Sequence, residues 1–396
     1  MMIKNQGLNI AIMMPALVRG QMGGTEVYAE GLVSHLERIK NTSDKFIIVY
    51  AGKPYAGSGG VLLKQRSSFI IEHVLANFQT GMSRYNKLLT WLKLVFQKRS
   101  IWQEIETAAA GQIDVVMYPF TAMLPKPRKY MKTVTVVHDL QHLDFPNSFD
   151  IGQRIYRNWT YDRPMRRTDA VIAVSEFTKN RVIELLKVPP QKVHRIYPGI
   201  RSGFELNERV KRNATPVSSQ FLYYPARGLP HKNHGRLFEA FEEVRKTHPE
   251  LVLRLSGSDQ ERLPTLPQNV EHMGNLNWRE ILWHYQNCRA VIFPSTYEGF
   301  GFPVLEALAA GAPLVVSNIG PIPEVTSKLA NLIDPWDVKS IKEGILQILD
   351  SPVLPETHTN LTTKFNWENS LVEILTVLRS VSEGSLSETA TSLNDN

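Results

Sequence analysis

A chain of 396 residues suggests two or three domains, and 43% hydrophobic with 21% charged residues excludes disordered and fibrous classes. The single cysteine, Cys288, excludes a disulfide scaffold or a multi-cysteine zinc site and fits a reducing compartment. The net charge of +7 is uneven: residues 1–200 hold 27 Lys and Arg against 15 Asp and Glu, the rest 18 against 23, so the first half is expected to face something anionic.

In chain order, Asn9–Met13, Phe46–Tyr50, Val115–Tyr118, Thr133–Val137 and Ala170–Val174 read as short buried strands, rich in Val and Ile and bounded by polar or turn residues. The apolar run Leu8 to Val18, broken by Asn9 and Pro15, leads into Gly23-Gly24 rather than a small-residue cleavage site, so it reads as a first strand feeding a glycine loop. Glu26–Arg38 can place Val27, Ala29, Leu32, Val33 and Leu36 on one helical face. After Tyr197-Pro198-Gly199 the pattern restarts with strands Phe221–Tyr224, Val252–Ser256, Ala290–Phe293, Pro313–Ser317 and Leu332–Ile333. Helices Arg236–Thr247, Arg279–Tyr285, Pro303–Ala310 and Val338–Leu349 intervene. Alternation of strand and helix predicts two open α/β units with parallel sheets, joined by a hinge near residues 198–215. No segment reaches the roughly 18 uninterrupted apolar residues of a membrane span, and the chain reads as soluble and cytoplasmic. From Ser382 the composition reads as a disordered tail.

Ligands of open parallel sheets bind at the carboxyl ends of strands, and the informative residues follow strands. Pro294-Ser295-Thr296-Tyr297-Glu298-Gly299-Phe300-Gly301-Phe302-Pro303 leaves one strand and opens a helix that carries Glu306. Its glycines allow close backbone approach, the helix start favours an anion, and carboxylates accept paired hydrogen bonds from a sugar or ribose diol. The plain alternative is a strand–turn–helix with one capping and one solvated Glu. Arg227 and Lys232 lie in the loop after the strand Phe221–Tyr224, where cations stabilise charge growing on a diphosphate leaving group; the alternative is an exposed basic turn. Gly23 and Gly24 open a helix after the first strand, and His138-Asp139 end another strand. A tight turn and a structural histidine are the plain readings of those two.

The run Glu298 to Glu306, with Glu-Gly-Phe-Gly-Phe-Pro followed by Glu-Ala-Leu-Ala-Ala-Gly-Ala-Pro, Ser317-Asn318 and Pro323-Glu324-Val325, resembles the signature of the retaining family 4 glycosyltransferases. The resemblance spans roughly residues 9–380 and is strongest over 221–325. It implies the α/β GT-B fold, two facing Rossmann-like domains with an interdomain cleft. The implied boundaries are an acceptor domain at 1–200, a nucleotide-sugar domain at 201–364, a terminal helix at 365–382 crossing back to the first domain, and the tail at 383–396. By the same resemblance Arg227, Lys232, Glu298 and His138 serve catalysis. Gly23, Gly24, Gly299, Phe300, Gly301, Phe302 and Glu306 bind the donor, Glu306 at the ribose, and Asp139 orients His138 or meets the acceptor. The loop departs from the family pattern at Pro225-Ala226, where a glycine is usual.

The expected reaction is retaining hexosyl transfer, with mannose from GDP-mannose the first choice on the strength of Pro230-His231-Lys232-Asn233-His234. The expected acceptor is a glycan, a lipid-linked oligosaccharide or a polysaccharide. A UDP-sugar donor is the runner-up, followed by a catalytically silent sugar-nucleotide-binding partner and by a nucleotide-sugar epimerase. Neither a metal nor another cofactor is expected to be obligatory. A dinucleotide oxidoreductase is disfavoured because no Gly-x-Gly-x-x-Gly follows the first strand, and nucleic acid because neither an RNA-binding motif nor zinc-finger spacing occurs. Residues 84–102 mix Arg84, Lys87, Lys93, Lys98 and Arg99 with Trp91, Phe96 and Trp102. They read either as a segment lying on an anionic bilayer at the inner membrane face or as a core-packing helix with a basic outer face. Arg154, Arg157, Arg163, Arg166 and Arg167 extend that surface or line an anionic acceptor site.

Overall fold

A computed structural model describes residues 7–14, 23–39, 42–51, 69–75, 92–204, 221–351 and 359–384. The chain divides into two compact units, Met1–Pro198 with Trp367–Asn396, and Gly199–Asn366.

In unit 1, strands β1 (Asn9–Met14), β2 (Lys45–Ala51), β3 (Ile70–Leu75), β4 (Val115–Tyr118), β5 (Lys132–Val137), β6 (Ala170–Ala173) and β7 (Val193–Arg195) form a seven-stranded sheet in the order β3-β2-β1-β4-β5-β6-β7. Every pairing is parallel, with Ile12 level with Ile48 on one side and with Met117 on the other. The inner strands read as unbroken apolar runs because helices cover both faces of a parallel sheet. One core cluster gathers Met13, Val49, Trp102, Ile105 and Tyr118; another joins Val137, Met165, Val171 and Val182.

Unit 2 repeats the scheme with β8 (Phe221–Pro225), β9 (Val252–Ser256), β10 (Val270–His272), β11 (Ala290–Phe293), β12 (Leu314–Ser317) and β13 (Asn331–Ile333), in the order β10-β9-β8-β11-β12-β13. All its pairings are parallel too. The strand order reverses between β8 and β11, the position at whose carboxyl ends open α/β sheets bind their ligands.

Three strands absent from the sequence reading, β3, β7 and β10, all lie at sheet edges. They carry Glu72 and His73, His194 and Arg195, and Glu271 and His272. An edge strand pairs on one side only and need not be apolar throughout, so the apolar-run criterion passes over it. The terminal helix also differs from expectation. It runs from Trp367 to Glu383, packs in unit 1, and takes in Glu383, assigned above to the tail. Phe365 stays in unit 2, its ring 5.8 Å from Phe300 and its carbonyl accepting the Ile200 N–H at 3.0 Å. Residues 385–396 and 205–220 lie outside the described residues.

Of the segment 84–102, residues 84–91 lie outside the described residues. Leu94, Ile101 and Trp102 are buried in the unit 1 core, and the Trp102 indole N–H donates to the Lys126 carbonyl at 2.8 Å, while Phe96, Lys98 and Arg99 are exposed. For those three apolar side chains the core-packing alternative holds. Among the described residues no helix is long and apolar enough to cross a membrane.

The terminal helix seats on unit 1 through Trp367, which stacks on His35 at 5.9 Å and meets the edge of Tyr28 at 5.3 Å. Gly31 makes room for it, since a Cβ there would overlap the indole. Further along the helix, Arg379 forks onto the buried carboxylate of Asp44 at 2.8 and 3.2 Å. Gly31→Ala is therefore expected to lower unfolding free energy by about 1–3 kcal/mol through overpacking, read from urea denaturation; an unchanged midpoint would sink the claim that Gly31 seats the indole.

Candidate functional site

The loop after β8 is fixed from three sides. Gly228 N–H donates to the Ser258 carbonyl at 2.9 Å. Gly257, with φ +141°, runs so close that a Cβ would lie 2.6 Å from the Ala226 oxygen. At the far end Asn233 adopts φ +62°, and its amide Nδ2 donates to the carbonyls of Pro294 at 3.0 Å and Pro335 at 2.6 Å. The Thr296 N–H donates to the His231 carbonyl at 2.7 Å, binding the loops after β8 and β11 directly.

Within this frame Lys232 Nζ meets Glu298 Oε1 at 2.6 Å, with side chains only 14% and 11% exposed. The ammonium also lies over the Phe293 ring, 5.3 Å from its centroid, and the buried Tyr224 hydroxyl donates to the Lys232 carbonyl at 2.6 Å. The sequence reading places both residues at a donor; the structure joins them to each other. Arg227 Nε donates to Asp259 Oδ2 at 2.8 Å, and the Ser258 hydroxyl donates to the same oxygen at 2.9 Å. The Arg227 guanidinium holds the Asp259 carboxyl below the usual range. Asp259 escaped the sequence reading; its one local signal is Gly257-Ser258-Asp259 directly after β9.

The second loop, Pro294 to Gly301, opens the helix Phe302–Ala309, with Pro303 in its first turn. Gly301 has φ +92°, a conformation that excludes most side chains, and a Cβ there would lie 2.7 Å from Ile322 Cδ1. Phe300 and Phe302 are buried, their rings 5.0 Å apart. They therefore shape the loop by packing, whereas Gly299 is half-buried. Glu306 is buried one turn into the helix, where the Tyr285 hydroxyl donates to its Oε2 at 3.4 Å. Burial and the Glu306 charge raise the Tyr285 phenol well above its ordinary range. Tyr285 is a second partner without a spacing signal.

Gly23, Gly24, His138 and Asp139 belong to unit 1. Gly23, at φ +56°, caps the helix Gly24–Leu36, and its carbonyl accepts from Glu26 and Val27. Residues 20–22 of the same loop lie outside the described residues. His138 Nε2 donates to the Pro119 carbonyl at 2.7 Å, and Tyr28 of that helix meets the imidazole edge-on at 5.0 Å. The glycine-capped helix and His138 are thus neighbours within unit 1. Burial lowers the His138 pKa, so the ring is neutral at pH 7. Asp139 accepts from the Gln141 N–H at 3.1 Å, which caps the following turn. That bond goes to backbone rather than to His138. Among the described residues no three His, Cys, Asp or Glu side chains gather as a metal site.

Two family models divide the chain between them. "Glycosyltransferase Family 4" matches residues 22–203 and "Glycosyl transferases group 1" matches residues 207–364. Among curated relatives, the chain is 24% identical over 270 residues to the O-antigen chain mannosyltransferase B of Escherichia coli, covering 63% of this chain and 70% of that one. It is 26% identical to the serotype-specific mannosyltransferase WbdA of Escherichia coli, over 63% of this chain but only about a third of that longer protein. Against O-antigen chain mannosyltransferase RfbU of Salmonella typhimurium the identity is 26% over 60% of this chain and 66% of the relative. Among solved structures, sucrose-phosphate synthase from Thermosynechococcus elongatus superposes with TM-score 0.72 at 18% identity, covering 96% of this chain and all of that one. The glycosyltransferase WaaG, involved in lipopolysaccharide biosynthesis, gives 0.62 at 12% identity over 96% of this chain and 98% of its own. The fold is GT-B, with two Rossmann-like units.

Two histidines flank the cations. Burial first, then the charges of Lys232 and its neighbours, pushes His231 down to about 3 and His234 down to about 4. Both sit below the ordinary value of about 6.5, so the unfolded chain binds more protons between about pH 6.5 and 4. Their contribution is full above pH 6.5 and lost as pH falls, at about 2 kcal/mol each by pH 5. The His234 ring packs against Tyr224 and Phe238, and its Nε2 has no partner among the described residues. His234→Phe is accordingly expected to hold its shape and to flatten the fall in thermal midpoint between pH 6.5 and 5; an unchanged pH slope would refute this.

Proposed function

The chain belongs to the family 4 glycosyltransferases, and from that premise we propose that it transfers a hexose with retention of anomeric configuration. The donor proposed first is GDP-mannose, the acceptor a glycan, lipid-linked oligosaccharide or polysaccharide. The observation that carries the reading is the pair of cations in the loop after β8, Lys232 on Glu298 after β11 and Arg227 on Asp259 after β9, at the carboxyl ends of three neighbouring strands and beside the glycine-opened helix that bears Glu306. The mannosyltransferase names of three relatives support the choice of sugar. A UDP-sugar is the second reading, supported by HepE of Anabaena, a structural neighbour at TM-score 0.66 and 15% identity, covering 95% of this chain and all of that one, solved with UDP and glucose.

In the proposed step the bond between the sugar's anomeric carbon and the diphosphate oxygen breaks, and the acceptor oxygen bonds to that carbon on the same face. The departing phosphate takes the acceptor's proton, and a nucleoside diphosphate leaves. Negative charge grows on the leaving oxygen, where fixed cations act most strongly in a water-poor site; Arg227 and Lys232 supply the opposing positive charge, with no obligatory metal. By the family resemblance Glu298 and the amides of Gly299 to Phe302 hold the sugar, Glu306 holds the ribose diol, and Gly23, Gly24 and His138 add donor contacts. The positive surplus of residues 1–200 supports work at an anionic membrane face on the cytoplasmic side.

Calorimetry with GDP, UDP, ADP and their sugar conjugates in EDTA tests donor and metal together. Selective GDP binding is expected, UDP preference would replace the mannosyl donor, and binding of none would favour a silent partner. Arg227→Ala is expected to lower turnover by about 10²–10³-fold. Lys232→Ala is expected to cost about 3 kcal/mol of stability as well, because it strands the nearly enclosed Glu298 carboxylate. The double variant Lys232→Met with Glu298→Gln should recover most of that stability without recovering turnover; recovery of both would demote the pair to a structural role.

A further inference from the structure

The ion pair of unit 2 unites two groups that the transferase reading assigns to different parts of one ligand. An ammonium suits a phosphate and a carboxylate suits sugar hydroxyls, yet Lys232 Nζ and Glu298 Oε1 stand 2.6 Å apart and satisfy each other. Water contributes little, because both side chains are nearly enclosed. One side of the ammonium also faces the Phe293 ring, 5.3 Å from its centroid, so that side is closed to an anion. A diphosphate that takes the remaining N–H donors of Lys232 therefore competes with Glu298 for the same charge.

The backbones on either side of the pair are fixed. Thr296 donates to the His231 carbonyl through its N–H, at 2.7 Å, and through its hydroxyl, at 3.2 Å. The Tyr224 hydroxyl holds the Lys232 carbonyl at 2.6 Å. The two loops cannot part to relieve the pair, so only the flexible lysine stem and the carboxylate can turn. Arg227 is placed differently: it meets Asp259 through Nε at 2.8 Å and is 38% exposed, so water screens that pair.

We propose that Glu298 makes the site select a nucleoside diphosphate that still carries its sugar over the bare nucleoside diphosphate. The bare diphosphate draws Lys232 away and leaves Glu298 nearly enclosed, without its counter-charge and beside further negative charge. A sugar conjugate brings hydroxyls that donate to the carboxylate while its phosphate oxygens accept from the ammonium. Both partners are then exchanged and neither is stranded. Once the sugar has been transferred that compensation is gone, Glu298 recovers Lys232, and the nucleoside diphosphate is displaced. The inference rests on the transferase reading above and adds to it a device that tells donor from product.

The test is calorimetry of the full chain with GDP against GDP-mannose and with UDP against UDP-glucose. In the parent the conjugate is expected to bind about tenfold tighter than its diphosphate, the worth of one hydrogen bond to a charged group. Glu298→Gln should tighten the bare diphosphate by about tenfold without tightening the conjugate, so that the two affinities converge. Lys232→Met combined with Glu298→Gln should abolish that gain, because the released ammonium is its source. Asp259→Asn removes a carboxylate from the better-solvated cation of the same loop, and should shift the ratio of the two affinities by less than about threefold. Equal affinity of conjugate and diphosphate in the parent would overturn the proposal and leave the donor site standing, as would unaltered diphosphate affinity in Glu298→Gln. A gain that survives in the double variant, or an equal gain in Asp259→Asn, would overturn it in favour of plain relief of repulsion. Binding of none of the four ligands to the parent would overturn the transferase reading and this inference with it.

Discussion

The Asn233 side chain is the tie on which the loops at the carboxyl ends of the unit 2 strands depend. A parallel sheet holds its strands by backbone ladders, but the loops at their carboxyl ends are not part of the ladder and need other bonds. One amide supplies two of them, to the carbonyls after β11 and after β13, from a residue that itself ends the loop after β8. Three strand exits are thereby fixed to a common point. Arg236 Nη1 donates to the remaining amide oxygen at 3.0 Å, so both ends of the side chain are occupied. Asparagine suits the position twice over: it tolerates a positive φ, and it carries two donors where glycine has none. Lys232, its chain neighbour, reaches Glu298 because this tie and the bond from Thr296 to His231 set the two loops side by side.

The same frame controls charge. His231 and His234 stand on either side of Lys232, and the protein spends burial to keep both neutral rather than add cations to a crowded loop. Lys232 and Arg227 each meet a carboxylate instead, one nearly enclosed and one half in water. Opposite charge at close range keeps two cations in one short loop without leaving either unmatched. The enclosed pair is the stiffer of the two, because desolvation makes each partner costly without the other.

What could be read from the sequence follows from locality. Central strands are mostly apolar because both faces are covered, so β1, β4, β5, β8, β9 and β11 announce themselves even where β9 carries Arg254; the edge strands β3, β7 and β10, each with two neighbouring polar or charged residues, do not. Arg227, Lys232, Glu298 and Glu306 stand at fixed distances from strand ends or glycines, so their place in the loops after β8 and β11 and on the helix that follows was legible. Asp259 and Tyr285 meet these residues only through the fold, 32 positions from Arg227 and 21 from Glu306, and no spacing rule reaches that far. The segment 92–102 could not be decided by composition, because the apolar face of a membrane-bound helix and of a core helix are alike; only the packing of Trp102 against the sheet separates them.

The return of the terminal helix to unit 1 has a consequence for the order of synthesis. All seven strands of unit 1 leave the ribosome before any of Gly199–Asn366, yet the hollow at Gly31, edged by Tyr28 and His35, is filled only when Trp367 arrives. At usual translation speeds of about 5–20 residues per second the intervening unit takes on the order of 10–30 s to make. During that interval the unit 2 sheet, whose last strand ends at Ile333, can form from its own contiguous residues, while unit 1 waits with an aromatic socket open and Asp44 without its arginine. The unit begun first is thus the one completed last, and the nascent chain passes through a state in which a finished C-terminal sheet hangs from an unsealed N-terminal one.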